Sequence, residues 1–339
     1  MSESRSPGGV VCAVMVAHNA GSRVVPVIRA LSTQVDHIVV VDNASDASSR
    51  EILRELAASQ PDGMTLILNE QNRWLAEGLN QAISWADRNG FDFVLLSSDT
   101  DVPEQGAVAA MRDVFFDRTQ GRVGSVNPRV ILETHANTRQ ATDTAVQAGG
   151  PSDIDLLVTG GCLVSMEAIR TVGPQREDFL IDMVDYDFGF RLQAAGFRTL
   201  GLDSVSMRYE LGKTANRRFL WRTCSVQNYS PVRRYYFSRN GLTLLRETGN
   251  RALANFYWQF LYASIAKILI YEEDKFQKLL FIGRGLRDSM KGRLGPYEER
   301  LASPEPGVIH GATPTAAPSV RSGSIISSSK SPGQRKRIR

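Results

Sequence analysis

Apolar and polar residues alternate in blocks through the first hundred positions of the chain. Four segments with an apolar core, typical of buried strands that end in polar residues, occupy residues 10–19, 35–45, 64–72 and 91–101. Between these runs, apolar residues recur every three or four positions, as in amphipathic helices, at residues 23–34, 48–59 and 75–90. Strands that alternate with helices predict an α/β fold, in which a mostly parallel sheet carries helices on both faces.

The rest of the chain is less regular at first and then becomes helical. One strand is predicted at residues 123–133, and residues 155–173 predict two strands separated by a glycine pair and followed by a helix. Beyond about residue 303, Ser, Pro, Gly and Ala dominate, which is typical of disorder. The pattern divides the chain into a flexible N-terminus (1–9), an α/β domain (10–215), a helical region (216–302) and a disordered basic tail (303–339).

Composition and charge narrow the class of protein. With 42% hydrophobic and 22% charged residues, the 339-residue chain is globular. The net charge of the chain is +4, and residues 303–339 alone carry +5, so the rest of the chain carries −1. The basic balance of the whole chain is therefore not evidence for a nucleic-acid-binding domain. The chain has neither an 18-residue apolar run nor a signal-peptide pattern, and its three cysteines are widely spaced, so we expect a cytoplasmic protein.

Polar side chains follow the predicted strands where each strand ends. Ligands of parallel α/β sheets bind beyond the carboxyl ends of the strands, so these positions are candidate ligand contacts. They are Asn19, Asp42, Asn43, Asn72, Asp99 and Asp101.

Two aspartates end the fourth strand, in the sequence LLSSDTDVPE. Residues i and i+2 of an extended segment point the same way, so Asp99 and Asp101 could share one cation. Carboxylates suit Mg²⁺ or Mn²⁺. The alternative is a solvated turn, for which Asp, Ser and Pro are ordinary residues. Their place at the end of the fourth strand favours a metal site.

A second acidic cluster lies in the sequence DFLIDMVDYDFGFRLQAAGF. Asp182, Asp185 and Asp187 stand among large apolar residues, just before a helical run that contains Arg191. A helix dipole accounts for one such carboxylate but not for three. Crowded carboxylates raise one another's pKa, which is useful in a general base.

Several motifs together resemble those of one enzyme family. VMVAHN, VVVDNAS, NRWLAEGLNQAI, FVLLSSDTDVPE, VTGGCLVS and FLIDMVDYDFGFRLQAAGF occur in order, followed by RRYYFSRN and GRGLRDSMKGRLG. From residue 10 to about 297 the chain resembles family 2 glycosyltransferases of the GT-A fold, and most of all their bacterial rhamnosyltransferase branch. The resemblance implies a nucleotide-sugar-binding and catalytic domain with a GT-A type sheet and flanking helices, followed by a helical region.

The same resemblance implies roles for individual residues in an inverting transfer. Asp185 aligns with the catalytic base, Asp42 with the residue that accepts from the nucleotide base, and Asn72 with a nucleotide contact. Asp99 would face the ribose and the metal, and Asp101 would be the main ligand of Mg²⁺ or Mn²⁺. Tyr209 stands where the family often has a metal-binding His, so Arg208 could stabilise the diphosphate instead. Further nucleotide-sugar positions are Ala17, His18, Asn19, Asn43, Asn80, Gly160 and Gly161, and Asp182, Asp187 and Arg191 are secondary candidates.

The function implied is transfer of L-rhamnose from dTDP-rhamnose to a lipid-linked glycan during cell-surface polysaccharide synthesis. One alternative is a UDP-sugar, such as UDP-galactofuranose, as the donor of an enzyme of the same fold. Another is a binding protein that keeps the scaffold without turnover.

Basic and aromatic residues are interleaved between residues 217 and 239 and are followed by apolar helices. This pattern suits an anionic membrane surface better than nucleic acid. We therefore expect the protein at the inner face of the plasma membrane as a peripheral protein. The alternative for this region is an ordinary helical core with contacts between copies of a homo-oligomer.

Overall fold

The structure is a computed structural model that describes residues 8–133, 140–141, 150–210, 215–219, 222–226 and 228–297. Residues 132–133, 140–141, 210, 215–219 and 222–225 are described by their backbone alone, so within the basic and aromatic segment at 217–239 side chains are described for residues 226 and 228–239. The tail predicted to be disordered, 303–339, lies outside the described residues, as does most of the N-terminus.

Twelve strands are present in the described part of the chain. They are β1 (Val11–Ala17), β2 (His37–Asn43), β3 (Met64–Asn69), β4 (Phe93–Ser97), β5 (Asp101–Pro103), β6 (Val123–Glu133), β7 (Gln140–Ala141), β8 (Ser152–Asp153), β9 (Cys162–Ser165), β10 (Arg198–Glu210), β11 (Ala215–Phe219) and β12 (Arg222–Val226).

Nine α-helices are present in the same described ranges. They are α1 (Val24–Leu31), α2 (Ala47–Ser59), α3 (Trp74–Arg88), α4 (Ala107–Phe116), α5 (Met166–Val172), α6 (Val184–Ala194), α7 (Pro231–Thr248), α8 (Arg251–Tyr271) and α9 (Lys275–Met290).

Ten of the strands form one mixed sheet. Its main order is β3-β2-β1-β4-β9-β6-β10-β5, with β7 on β6 and β8 on β10, and β11 and β12 form a separate hairpin. Strands β3, β2, β1 and β4 run parallel, β9 is antiparallel to β4 and β6, and β10 is again parallel to β6. The predicted α/β fold with flanking helices is confirmed. The sheet is parallel where the sequence alternates and becomes mixed beyond β4.

Alternate residues of the strands feed two cores, one on each face of the sheet. Val11, Ala13 and Met15 of β1 pack with α1, α2 and α4, whereas Cys12 and Val14 pack with α3, α5 and α6. Both faces are therefore covered, which explains why the first strands read as continuous apolar runs.

The three C-terminal helices pack against α3 and α6 through a third core. Leu244 of α7, Leu253 and Tyr257 of α8 and Ile282 of α9 share it with Ala76 of α3. Helices α7 and α9 approach closely at Gly285, where an added Cβ would lie 2.5 Å from the Tyr235 carbonyl oxygen. Among the described residues, the helices are all too short or too polar to cross a membrane.

Candidate active site

The predicted ligand positions converge at one edge of the sheet. Strands β1, β2 and β4 end there, and β1 has β2 on one side and β4 on the other, which is a topological switch point. Because β9 is antiparallel to β4, it begins at this edge, and Leu96 lies opposite Cys162. Strand β10 also ends there, and Tyr209 lies opposite Asp101 of β5.

Asp42 lies at the end of β2 and is 0% exposed. Its Oδ2 accepts hydrogen bonds from Arg50 Nε at 2.8 Å and from the Ser45 amide at 3.2 Å. Its Oδ1 is buried without a hydrogen-bond donor among the residues described. A buried acceptor of this kind fits the N–H of a pyrimidine base, the role that the resemblance implies.

The residues after β1 form the wall beside Asp42. His18 Nδ1 lies 2.7 Å from the Asn43 carbonyl oxygen, and the Asn19 amide donates to Ser45 Oγ at 2.8 Å. Asn19 has a positive φ of 51°, which turns the chain away from the buried Ala17. These contacts tie the β1 and β2 loops together and shape the pocket between them.

Three asparagines predicted as nucleotide contacts are engaged within the protein. Asn43 Nδ2 donates to the Trp74 carbonyl at 2.8 Å, and Asn72 Oδ1 accepts from the Trp74 amide at 2.8 Å. Asn80 Nδ2 donates to the Gln175 carbonyl at 2.9 Å, and its Oδ1 accepts from the Gln175 amide at 2.7 Å. Their side chains therefore hold α3 to β2 and to the loop before α6.

The start of α3 is capped by the protein itself. The amides of Leu75 and Ala76 donate to the Leu180 carbonyl at 3.1 and 3.2 Å. These two backbone donors bind the segment before α6. They are therefore not available to a nucleotide, as a helix N-terminus would otherwise be.

The two aspartates after β4 do not form one extended segment. Strand β4 ends at Ser97, a turn follows, and Asp101 begins β5. The expectation that the two residues share a strand face is therefore wrong, because the turn separates them. Asp99 pairs with Arg23 Nη2 at 2.9 Å.

Asp101 is 0% exposed and is the more enclosed of the two. Its Oδ2 accepts from the Ser98 amide at 2.8 Å, and its Oδ1 is buried with no donor in the described ranges. Burial raises the pKa of Asp101 to about 6, and the nearby charge of Asp99 adds to the rise. No group of three or more His, Cys, Asp and Glu side chains that could hold a metal occurs in the part of the chain described.

Tyr209 and Arg208 are adjacent in β10 and therefore lie on opposite faces of the strand. Tyr209 lies opposite Asp101, and burial together with the charge of Asp101 raises its pKa to about 12, so it is a neutral phenol. Arg208 lies opposite Val102, on the other face of the strand. Arg208 therefore does not face the carboxylates with Tyr209.

The segment 159–161 lies against the carboxylates of both Asp101 and Asp185. A Cβ added to Gly160 would lie 3.0 Å from Asp101 Oδ2, so any larger residue would crowd this carboxylate. Gly161 has a φ of +76° and its amide donates to the Leu96 carbonyl at 2.8 Å. One residue earlier, the Thr159 backbone donates a hydrogen bond to Asp185.

Asp185 stands in the first turn of α6 and is half-buried. Burial raises its pKa to about 6, and hydrogen bonds from the backbone of Tyr186 and Thr159 limit the rise. The Tyr186 amide lies 3.0 Å from Asp185 Oδ1. A half-accessible carboxylate with a raised pKa has the properties of a general base.

The other two acids of the cluster are ion-paired. Asp182 Oδ1 lies 3.2 Å from Arg233 Nη2, and Asp187 Oδ2 lies 2.8 Å from Arg191 Nε. Arg191 also donates to the carbonyls of Val172 and Pro174, so this pair serves the fold. Among the described residues, Asp185 alone of the three has no cation beside it, which singles it out from the cluster.

Sequence reasoning missed the partners of these acids. Arg23, Arg50 and Arg233 pair with Asp99, Asp42 and Asp182. Arg233 also stacks over the Tyr229 ring at 4.2 Å. Arg23 and Arg50 lie outside the motifs, whereas Arg233 begins RRYYFSRN, which is the one signal for it in the sequence.

The chain is similar to known glycosyltransferases. Residues 12–139 match the family described as Glycosyl transferase family 2. This segment is therefore similar to the glycosyltransferase domain of that family. It carries Asp42, Asp99 and Asp101, and the segment 159–161 and α6 follow it along the chain.

Two known proteins are similar to a larger part of the chain than residues 12–139. The dTDP-rhamnosyl transferase RfbF of Shigella flexneri is 23% identical over 248 residues, which cover 70% of this chain and 80% of RfbF. The crystal structure of S. aureus TarS 1–349 superposes with a TM-score of 0.52 at 12% identity and covers 84% of this chain and 83% of that one. The chain spans 44% of a longer TarS chain. The TarS likeness shows a GT-A type fold, and the findings together support a glycosyltransferase of this family.

Proposed function

We propose that the protein is an inverting glycosyltransferase that uses a nucleoside-diphosphate sugar. The observation that carries the proposal is the segment 159–161, which contacts Asp101 on one side and Asp185 on the other. Thr159 contacts Asp185, the proposed base, and the next residue, Gly160, approaches Asp101, the proposed diphosphate-side carboxylate. Asp42 is the residue that we assign to the nucleotide base.

In this reaction Asp185 acts on the acceptor, and the diphosphate side of the site holds the leaving group. Asp185 accepts the proton of an acceptor hydroxyl, whose oxygen forms a bond to the anomeric carbon of the sugar. The bond from that carbon to the diphosphate oxygen breaks, and the nucleoside diphosphate leaves with the electron pair. Attack from the side opposite the leaving group inverts the anomeric centre.

The residues present fit a divalent cation. Asp101 Oδ1 is a buried oxygen without a donor in the described residues, and the charge of Asp99 is near enough to raise the pKa of Asp101. Asp101, with Asp99 as second ligand, would hold Mg²⁺ or Mn²⁺, and the cation would neutralise charge on the leaving diphosphate. Tyr209 stays protonated beside it and supplies no anionic ligand.

Arg233 rather than Arg208 is the cation that we assign to the diphosphate. Burial and the charge of Asp101 raise the pKa of Tyr209, and the positive charge of Arg233 opposes the rise, which supports a position of Arg233 near these groups. Arg208 lies on the other face of β10. A planar guanidinium suits two phosphate oxygens at once.

For the donor we propose dTDP-rhamnose, supported by the relative named dTDP-rhamnosyl transferase. A UDP-sugar is the second candidate, favoured by the likeness to TarS 1–349, whose structure in complex with UDP-GlcNAc superposes with a TM-score of 0.52. The acceptor that we propose is a lipid-linked glycan at the inner face of the plasma membrane. Large apolar side chains exposed on α8 and α9 support this location.

The deciding experiment compares the wild-type chain with Asp185→Asn. A thermal-shift panel of dTDP- and UDP-sugars, with and without Mg²⁺ or Mn²⁺, first identifies the donor. Asp185→Asn should then lose transfer by roughly 1,000-fold or more, the scale of a lost general base. Its affinity for the nucleoside diphosphate should stay within a factor of about three, because only the base end is changed.

Two results would count against the proposal. Transfer at an undiminished rate by Asp185→Asn would show that the base is another residue. A wild-type chain that binds no nucleotide-sugar and hydrolyses none with either metal would favour the binding-protein alternative.

A further inference from the structure

The segment that leads into the base has a strained backbone. We name residues 178–183 the acid loop. Leu180, Asp182 and Met183 in it have positive φ values of 62°, 58° and 66°, although none is glycine. Such conformations persist only where the surroundings over-determine them, and they cluster at functional sites. Asp185 follows the acid loop by two residues.

Asn240 of α7 holds the acid loop from one side. The residue is 0% exposed, and its Nδ2 donates to the carbonyls of Phe179 at 2.8 Å, Ile181 at 2.8 Å and Asp182 at 3.1 Å. One side-chain amide therefore binds three carbonyls of a six-residue segment.

The neighbouring Arg239 orients this amide and binds a further carbonyl of the acid loop. Arg239 is 0% exposed, and its Nε donates to Asn240 Oδ1 at 2.8 Å, which fixes the orientation of the carboxamide. Its Nη2 donates to the Asp178 carbonyl at 2.9 Å. On the opposite side, the start of α3 binds the Leu180 carbonyl, so five successive carbonyls, from residue 178 to residue 182, have donors.

We propose that Asn240 is a positioning residue for the catalytic base. Its amide fixes the strained acid loop, and the acid loop sets where α6 begins and hence where the Asp185 carboxylate lies. This inference rests on the proposed function of Asp185. Asn240 touches neither donor nor acceptor in this assignment and acts only through the acid loop.

The test compares Asn240→Ala with Thr243→Val. Thr243 lies one turn further along α7, is buried, and donates to the Arg239 carbonyl at 2.8 Å and contacts Ser289 Oγ at 2.9 Å, away from the acid loop. Both variants lose buried hydrogen bonds on one helix, so they control for a general loss of stability. Transfer kinetics, affinity for the nucleoside diphosphate and amide hydrogen exchange are measured on the full chain for each.

Asn240→Ala should lower kcat by roughly 10- to 100-fold, as a misplaced catalytic group does. Affinity for the nucleoside diphosphate should change less than about threefold, and amides of residues 178–186 should exchange faster. Thr243→Val should keep kcat within about twofold. An unchanged kcat in Asn240→Ala, or an equal fall in both variants, overturns the proposal.

Hydrogen exchange separates this inference from the proposed function. If the wild-type chain turns over no nucleotide-sugar, the proposed function fails, and so does the catalytic part of the inference. Faster exchange in the acid loop of Asn240→Ala alone would then still support the mechanical part, and equal exchange in both variants would overturn it as well.

Discussion

Arg233 and Arg234 are adjacent in the first turn of α7, yet they have different partners. Arg233 pairs with Asp182 at 3.2 Å near the proposed diphosphate site. Arg234 is buried and pairs with Glu272 at 2.7 Å, and Lys278 also contacts Glu272 at 3.0 Å. One arginine therefore pairs with an acid of the proposed site, and the other pairs within the helical core.

Alanine at each of these positions should separate the two roles. Arg233→Ala should weaken donor binding by about tenfold or more, because a charged phosphate contact is lost. Arg234→Ala should leave two buried charges imperfectly paired and lower the free energy of unfolding by about 3–5 kcal/mol. Isothermal titration with the donor and urea unfolding of both variants measure this. Unchanged donor affinity in Arg233→Ala would remove Arg233 from the site.

The raised pKa of Asp185 links the base to the stability of the fold. The carboxyl titrates at about 6 in the folded protein instead of 3.8, so between these values the folded state holds the extra proton. The free energy of unfolding therefore falls as pH rises through this window, and the penalty remains at higher pH. Asp185→Asn should be more stable than wild type by about 1–3 kcal/mol at pH 8 and equal to it near pH 3.

Urea unfolding of both chains at pH 3 and pH 8 checks this expectation. A variant that is less stable than wild type at pH 8 would show that the carboxylate is not penalised by burial. In wild type the same titration should reduce kcat/KM below about pH 6, because a protonated Asp185 accepts no proton.

At the scale of elements, the first half of the fold could be predicted from sequence to within a few residues. Strands predicted at 10–19 and 35–45 are Val11–Ala17 and His37–Asn43, and the helix predicted at 75–90 is Trp74–Arg88. Local periodicity specifies these elements because each buries one defined face. Helix α4 was missed, although Val108, Met111 and Val114 recur at helical spacing.

The contacts that complete the site could not be predicted in the same way. Asn240 and the carbonyls that it binds are 58 to 61 residues apart, and Arg233 and Asp182 are 51 apart. No local pattern encodes a pairing over such distances. The end of β4 was also misplaced, because the turn after Ser97 sends Asp101 to pair with β10.

The close packing of α9 on α7 depends on Gly285. Gly283, two residues earlier in α9, is a matched control. A Cβ at Gly285 would lie 2.5 Å from the Tyr235 carbonyl oxygen, whereas a Cβ at Gly283 meets nothing within 4 Å. Gly285→Ala should lower the melting temperature, since α9 must move outward. Gly283→Ala should leave it unchanged or raise it, because alanine favours a helix by about 1 kcal/mol. Thermal unfolding of the two variants decides, and equal shifts would contradict the close approach.

For the whole molecule, the outer side of α8 and α9 offers a surface for membrane contact. We name Tyr262, Leu269, Ile270, Phe276 and Leu280 the apolar ridge, since all are exposed and Phe276 is 80% exposed. If this ridge meets lipid, Phe276→Ser should reduce co-sedimentation with vesicles that contain anionic lipid by several-fold.

Phe116→Ser is the matched control, because Phe116 is 55% exposed on α4, at the far side of the sheet from these helices. It should bind vesicles as wild type does. Equal binding by all three chains would exclude the ridge as the contact. A change in molecular mass of Phe276→Ser in solution would instead identify the ridge as a contact between copies.

The place of β9 in the sheet has a practical consequence for dividing this protein. The family match ends at residue 139, but β9 (Cys162–Ser165) is the strand that covers one side of β4. A fragment that stopped at 139 would expose the backbone edge of β4, whose residues Phe93–Ser97 are all buried in the whole chain. Open apolar edges pair with other molecules and aggregate. Chimeras that exchange donor specificity between relatives should therefore carry β9 and the acid loop with the nucleotide-binding strands.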